Sequence, residues 1–179
     1  MRQMSKTILT CGFVAVMAAP EWTIAQYHIG KLRTDGVWTA YTAVEQGNKI
    51  CYTVARPTRS EGNYSRRGDV YAIVTHRPSR GSYSVVSIMA GYPYKPKTQI
   101  YVSIDHRQFT MIGHGETAWL QGTGDDDLVA AMQSGREMVV TGYSQRGTRT
   151  VDTFKLMGFT ASHNRINEAC PRESSRRFP

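Results

Sequence analysis

Histidine and cysteine are the side chains that most often bind metals, and their spacing in this chain does not form a metal site. The chain has no HExxH motif and no close H-x-H or C-x-x-C pair. His106 and His114 flank one predicted strand, where solvated turn histidines explain them better than a shared ligand does. We therefore expect no metal and no cofactor. The five histidines are His28, His76, His106, His114 and His163.

The carboxylates do not form a catalytic motif either. Asp125 to Asp127 directly precede an apolar run, which favours a helix N-terminus; the alternative, a Ca²⁺ loop, lacks alternating oxygen ligands and a distal Glu. Glu116 and Asp152 could share acid/base work only if the fold brought them together. No GxSxG, phosphate-binding loop or correctly placed GxGxxG occurs. We expect no catalytic residues and a protein that is not an enzyme.

Arg67-Gly68-Asp69 has the composition of an adhesive, integrin-binding tripeptide. Adhesion would require the triplet at an exposed loop tip, whereas here Asp69 leads directly into a predicted strand. A turn before that strand is the preferred interpretation, because Gly68 can adopt backbone angles that other residues avoid.

Tyr92, Tyr94 and Lys95 are the candidate binding surface. Tyrosine combines a large apolar ring with a polar tip, which suits contact with a partner. The alternative is a bend in which these rings pack against Trp119 or Trp38.

The first 25 residues predict a secretory signal peptide. Arg2 and Lys6 precede an uncharged stretch over 7–19, which is too short to span a bilayer, and a cleavage site follows at Ala25. A buried helix of a cytosolic protein is the alternative. Export would leave no transmembrane segment. The net charge of +8 would fall by one, which predicts a weak attraction to anionic surfaces and no specific binding of nucleic acid.

Two cysteines, Cys51 and Cys170, remain after the predicted cleavage removes Cys11. Two cysteines in an exported chain are expected to pair, and such a disulfide would tie the first strands to the last helix. Free thiols or a redox pair are the alternatives, although a redox pair usually has close C-x-x-C spacing.

The elements that must position these residues are mostly strands. Short β-branched and aromatic runs between Gly, Pro and Asn turns predict about eight of them. The runs at 70–75 and 83–90 are apolar on both faces, which indicates the centre of a sheet covered on both sides. A helix is predicted over 126–133 and another from Phe159. We expect an antiparallel, immunoglobulin-like β-sandwich. Strands are predicted at 37–44, 49–55, 70–75, 83–90, 98–104, 107–112, 137–143 and 150–156, with a further short run at 117–120 and an exposed loop at 56–67.

Several segments, in order, resemble the invasion-associated locus B family, which consists of exported proteins of alphaproteobacteria. The resemblance implies a β-sandwich domain over 37–170. Around that domain, the residues themselves predict a signal peptide (1–25), a linker (26–36) and a basic disordered tail (171–179). The resemblance also implies a periplasmic or outer-envelope location, and a role in the invasion of host cells in some pathogens. The segments are KICY (49–52), RGDVYAIVTHRP (67–78), VVSIMAGYPYK (85–95), GETAW (115–119), DLVAAM (127–132), GFTA (158–161) and EAC (168–170).

These observations predict a non-enzymatic cell-envelope protein that binds an envelope or host component. The alternatives are a periplasmic hydrolase whose site is assembled by distant residues, and a chaperone-like stress factor with a free apolar strand edge.

Overall fold

The computed structural model describes residues 29–172, which form eleven strands, two α-helices and a 3₁₀ turn at Pro78–Arg80. The strands are β1 (Gly30–Asp35), β2 (Trp38–Glu45), β3 (Asn48–Ala55), β4 (Arg59–Gly62), β5 (Tyr71–Arg77), β6 (Ser82–Met89), β7 (Gln99–Ile104), β8 (Arg107–His114), β9 (Thr117–Leu120), β10 (Glu137–Tyr143) and β11 (Arg149–Lys155). The helices are α1 (Asp125–Ser134) and α2 (Phe159–Ala169). The predicted signal peptide, His28 and residues 173–179 of the predicted tail lie outside the described residues.

All eleven strands belong to one antiparallel sheet, in the order β1-β2-β3-β5-β6-β9-β8-β7-β10-β11-β4. Only residues 56–58 connect β3, third in that order, to β4 at its end. A segment of three residues spans only a short distance, so β3 and β4 must lie close together in space. The sheet therefore curls until its two halves face each other. Across that gap the indole N–H of Trp38 donates to the Lys155 carbonyl at 2.9 Å. The predicted mainly-β class is confirmed, and the curled sheet is compatible with a sandwich; the immunoglobulin-like topology stays a prediction.

We did not predict β1 and β4 from the sequence, and these are the two edge strands of the sheet. The predicted linker contains β1, and the predicted loop at 56–67 contains β4. Every residue of β4 is exposed, as are the first five residues of β1. An edge strand forms through backbone hydrogen bonds to a single neighbour, so its side chains need not carry an apolar pattern.

The core lies between the two halves of the sheet and beneath the helices. Helix α2 packs on β1, β2 and β3, where the Trp38 and Phe159 ring centroids are 4.8 Å apart and the hydroxyls of Thr53 and Ser162 are 2.5 Å apart. As predicted, β5 and β6 are central strands. Their outward side chains, such as Ile73 and Val85, are only half-buried. The second covering layer that we predicted for these strands was therefore wrong.

Helix α1 begins at Asp125 and has all three predicted aspartates in its first turn, where they oppose the helix dipole. None of them caps the helix through its side chain. Asp125 instead accepts a hydrogen bond from the Val86 amide at 2.8 Å, which fixes α1 to β6, and Asp126 pairs with Arg172 at 3.0 Å. Neither helix of the described residues is long and apolar enough to cross a membrane.

The predicted disulfide between Cys51 and Cys170 is present, and both residues are buried. Cys51 lies in β3 and Cys170 directly follows α2, so the bond joins the early part of the sheet to the last helix. Their Cα atoms are 6.0 Å apart, within the range that a disulfide spans.

Candidate functional site

The tripeptide Arg67-Gly68-Asp69 is not displayed as an adhesive loop. The Arg67 side chain is only 5% exposed, so a receptor cannot reach it. Gly68 packs directly on Gly91, with a backbone hydrogen bond of 2.9 Å between them. Gly91 has a φ of +68°, and a Cβ atom there would collide with the Gly68 carbonyl. The triplet is therefore a structural turn before β5.

Arg67 forms a buried, bidentate ion pair with Asp152 of β11. Its two terminal nitrogens donate to the two carboxylate oxygens at 2.8 and 2.6 Å, and its Nε donates to the Ala90 carbonyl at 2.7 Å. The Ser60 hydroxyl donates to the same carboxylate at 2.7 Å. Burial alone would lower the pKa of Arg67, but the hydrogen bonds and charge of Asp152 outweigh it and raise that pKa. The pair is fully satisfied by its neighbours.

Two tyrosine rings lie against the Arg67 guanidinium, with centroids 4.9 Å (Tyr92) and 5.5 Å (Tyr64) from its central carbon. The Tyr92 hydroxyl lies 2.6 Å from that of Thr150, and burial raises the pKa of Tyr92. These contacts fix the rings in place, so Tyr92 belongs to a pre-organised cluster.

The structure separates the three residues of the predicted binding surface. Tyr92 is half-buried, whereas Lys95 is exposed. Tyr94 is 5% exposed, so its assignment to an exposed surface was wrong. Its ring fills the space above Gly113 and Gly142, where a Cβ atom would collide with it. The alternative, a bend in which the tyrosine rings are packed, therefore describes Tyr94. Its ring packs against Gly113 and Gly142, not against Trp119 or Trp38.

A cleft of about 740 Å³ opens beside this cluster, at the end of the sheet where four connections meet: β4–β5, β6–β7, β8–β9 and β10–β11. Clefts at the mouths of β-structures are common ligand sites. We call it the mouth cleft. Its lining consists of residues 63–68, 91–93, 116, 144–146, 148 and 150.

The charges of the mouth cleft fall into two groups. Arg67 and Asp152 neutralise each other below it. Arg66, Arg146 and Glu116 are exposed on its walls, and none of the three makes an ion pair within residues 29–172. Glu116 and Asp152 do not act as an acid/base pair, because Arg67 and Ser60 already occupy the Asp152 oxygens.

A second polar cluster lies under α2, around His76 and His163. Ser84 has a φ of +59°, and its hydroxyl lies 3.4 Å from Nε2 of His163. The Ser84 amide donates to Nδ1 of His76, so Nε2 of His76 carries the proton and donates to Asn167 at 2.7 Å. The serine–histidine contact resembles a nucleophile and its base. However, both side chains are buried, and burial, with a smaller contribution from the neighbouring His76, lowers the pKa of His163 to about 4. The cluster is a neutral network that packs α2 onto the sheet.

His163 should make the fold sensitive to acid. Because its pKa falls from 6.5 in the unfolded chain to about 4 in the fold, its contribution to stability is complete above pH 6.5 and is lost as the pH falls towards 4. We expect this histidine to account for about 3 kcal/mol of destabilisation over that window. Urea unfolding at several pH values would measure it.

His163→Gln should flatten the pH dependence of stability between pH 6.5 and 4. His106→Gln, at an exposed turn position, should leave it unchanged. Equal slopes for the wild type and His163→Gln would contradict the assignment.

His106 and His114 are both exposed; His106 lies in the turn before β8, and His114 is the last residue of that strand. Within residues 29–172, no three His, Cys, Asp or Glu side chains are grouped closely enough to hold a metal ion. Sequence reasoning missed Arg67 and Asp152 as the centre of the site. Arg66, Arg146 and Tyr64 of the mouth cleft were missed too, because they fall in polar segments that indicate only loops.

The fold and the mouth cleft define a disulfide-bridged, mainly-β domain with a pre-organised polar cleft at one end. A family model described as invasion associated locus B (IalB) protein matches residues 38–167, and the chain therefore belongs to the IalB family. The resemblance identified from the sequence segments is confirmed.

Comparison with solved structures supports the same fold. The structure is similar to the crystal structure of invasion associated protein b from Bartonella henselae, with a TM-score of 0.54 and 15% sequence identity. The match covers 76% of this chain and 95% of that one. No curated protein sequence matches this chain.

Proposed function

We propose that this protein is an exported cell-envelope protein of the IalB type that acts without catalysis, by binding an envelope or host component at the mouth cleft. The single observation that carries the proposal is the cleft itself. It is open to solvent, and the Arg67–Asp152 pair and the Tyr92 ring form a rigid floor beneath it. A preformed cleft binds at a low cost in conformational ordering.

Two sequence features support export. The basic, then apolar N-terminal stretch has the form of a signal peptide. The disulfide between Cys51 and Cys170 is typical of an oxidising compartment. The family supports an envelope role, since its own description is invasion associated.

The alternatives have less support. A hydrolase of this kind would need an accessible nucleophile in contact with its base, whereas the Ser84–His163 contact is buried. A chaperone-like factor would offer an apolar strand edge, but the edge strands β1 and β4 have the sequences GKLRTD and RSEG. Charged edge residues discourage the addition of another strand.

Site-specific photocrosslinking in intact cells tests the binding proposal. A photoreactive residue at Tyr64 or Gln145, on the cleft wall, should yield discrete adducts. The same group at Gln108 or Thr110, exposed on β8 outside the cleft lining, should not. Equal adducts from both sets of positions, or none from the cleft, would overturn the assignment of the site.

Cell fractionation tests export separately. The protein should be recovered from the periplasm or envelope with Gln26 as its first residue. An uncleaved protein in the cytosol would refute the proposed location.

A further inference from the structure

We propose that the mouth cleft binds an acidic saccharide, a glycan whose sugar rings carry carboxylates such as those of uronic acids. This inference rests on the proposed function, because it names the ligand class of the same cleft.

The charge of the cleft favours an anion. Arg67 is neutralised by Asp152, which leaves Arg66 and Arg146 against a single free carboxylate, Glu116. Arginine holds carboxylates in a bidentate geometry and keeps its charge at any physiological pH. The walls therefore carry a net positive charge that a carboxylate-bearing ligand would complement.

The remaining lining favours sugar rings over a peptide. The apolar side chains of the lining are Tyr64, Tyr92 and Pro93. No Ala, Val, Leu, Ile, Met or Phe lines the cleft, so it offers flat rings rather than an aliphatic pocket for the side chains of a peptide. Tyr64 is 37% exposed, and the C–H face of a sugar stacks well on an aromatic ring. Five further lining side chains carry hydroxyls or amides, which, like sugar hydroxyls, can both donate and accept hydrogen bonds. They are Asn63, Ser65, Ser144, Gln145 and Thr148.

The floor of the cleft holds this lining in place. The backbone contact between Gly68 and Gly91 joins two of the connections that form the walls. The β10–β11 connection is attached to the β6–β7 connection as well, because the backbone N–H of Gln145 donates to the Pro93 carbonyl at 2.8 Å. A cleft fixed in this way does not have to be ordered when a ligand binds, which helps a ligand whose individual hydrogen bonds are weak.

Calorimetry with the full mature chain and its disulfide tests the ligand class. Trigalacturonate is the probe, and its fully methyl-esterified form is the matched neutral control with the same sugar backbone. We expect trigalacturonate to bind at least about tenfold more tightly than the ester, because each lost charge-assisted hydrogen bond weakens binding about that much. A hexaglutamate peptide should bind more weakly than trigalacturonate.

Variants identify the residues that bind the sugar. Arg66→Gln and Arg146→Gln should each weaken binding at least about fivefold. Arg136→Gln, an exposed arginine outside the cleft lining, should have no effect. Glu116→Gln should tighten binding about two- to threefold, and a misfolded protein could not show such a gain.

Three outcomes would overturn the inference: no binding of trigalacturonate, equal binding of its ester, or equal or tighter binding of hexaglutamate. If cleft positions still form photocrosslinks while trigalacturonate does not bind, the proposed function stands and the ligand class fails. If both experiments are negative, the proposed function fails as well.

Discussion

Asp152→Asn should lower the free energy of unfolding by about 3–5 kcal/mol, the usual cost of removing one partner of a buried ion pair. Asp152 is the only carboxylate that Arg67 contacts within residues 29–172, and both side chains are at least 95% buried. The change would leave the Arg67 guanidinium without a counter-charge but still charged, because arginine keeps its proton at any physiological pH. Chemical denaturation at pH 7 would measure the loss.

The sequence provides a matched control two residues from Arg67. Asp69 pairs with Arg56 at 2.9 Å, but both side chains are about 60% exposed. Asp69→Asn should therefore cost less than about 1 kcal/mol. The double variant Arg67→Met, Asp152→Leu should recover much of the stability that Asp152→Asn loses, because it removes both buried charges. A cost for Asp152→Asn no larger than that for Asp69→Asn would contradict the account.

Removing the disulfide should have a comparable effect. Cys51→Ser together with Cys170→Ser opens a loop between residues separated by 119 positions. The chain-entropy model gives about 4–5 kcal/mol for such a loop, since the unfolded chain gains that freedom. Urea unfolding of the oxidised wild type and the double variant would give the difference.

Reduction of the wild type provides the control for the serine substitutions. Reduced wild type and the double variant should unfold at similar urea concentrations, since both lack the same crosslink. A reduced protein as stable as the oxidised one would show that the bond contributes nothing.

The central strands and the helices could be predicted from the sequence. The strands follow from runs of β-branched and apolar residues between turns, and α2 follows from apolar residues at the spacing of one helical face, which is buried against the core. Ala72 and Val74 in β5, and Phe159 and Ile166 in α2, are such residues, and all four are buried. The pairing of Cys51 with Cys170 followed from the chemistry of an exported chain.

The edge strands could not be predicted in this way. β4 (Arg59–Gly62) is charged and exposed, and its partner β11 lies about 90 residues further along the chain. Its pairing consists of backbone hydrogen bonds, which any residue except proline can make, so no side-chain pattern indicates it.

The Arg67-Gly68-Asp69 triplet and the tyrosines near residue 93 also separate what the sequence determines from what the tertiary structure decides. The sequence by itself determined a mainly-β domain, two helices and a disulfide, because each depends on local periodicity or residue chemistry. Its resemblance to known segments identified the IalB family. The tertiary structure alone decided that Arg67 is buried against Asp152, 85 positions away, and that Tyr94 fills the space above two glycines. It also decided that four separate connections enclose one cleft. The physical reason is that strand order in a curled sheet brings distant residues together, and strand order depends on the packing of the whole chain.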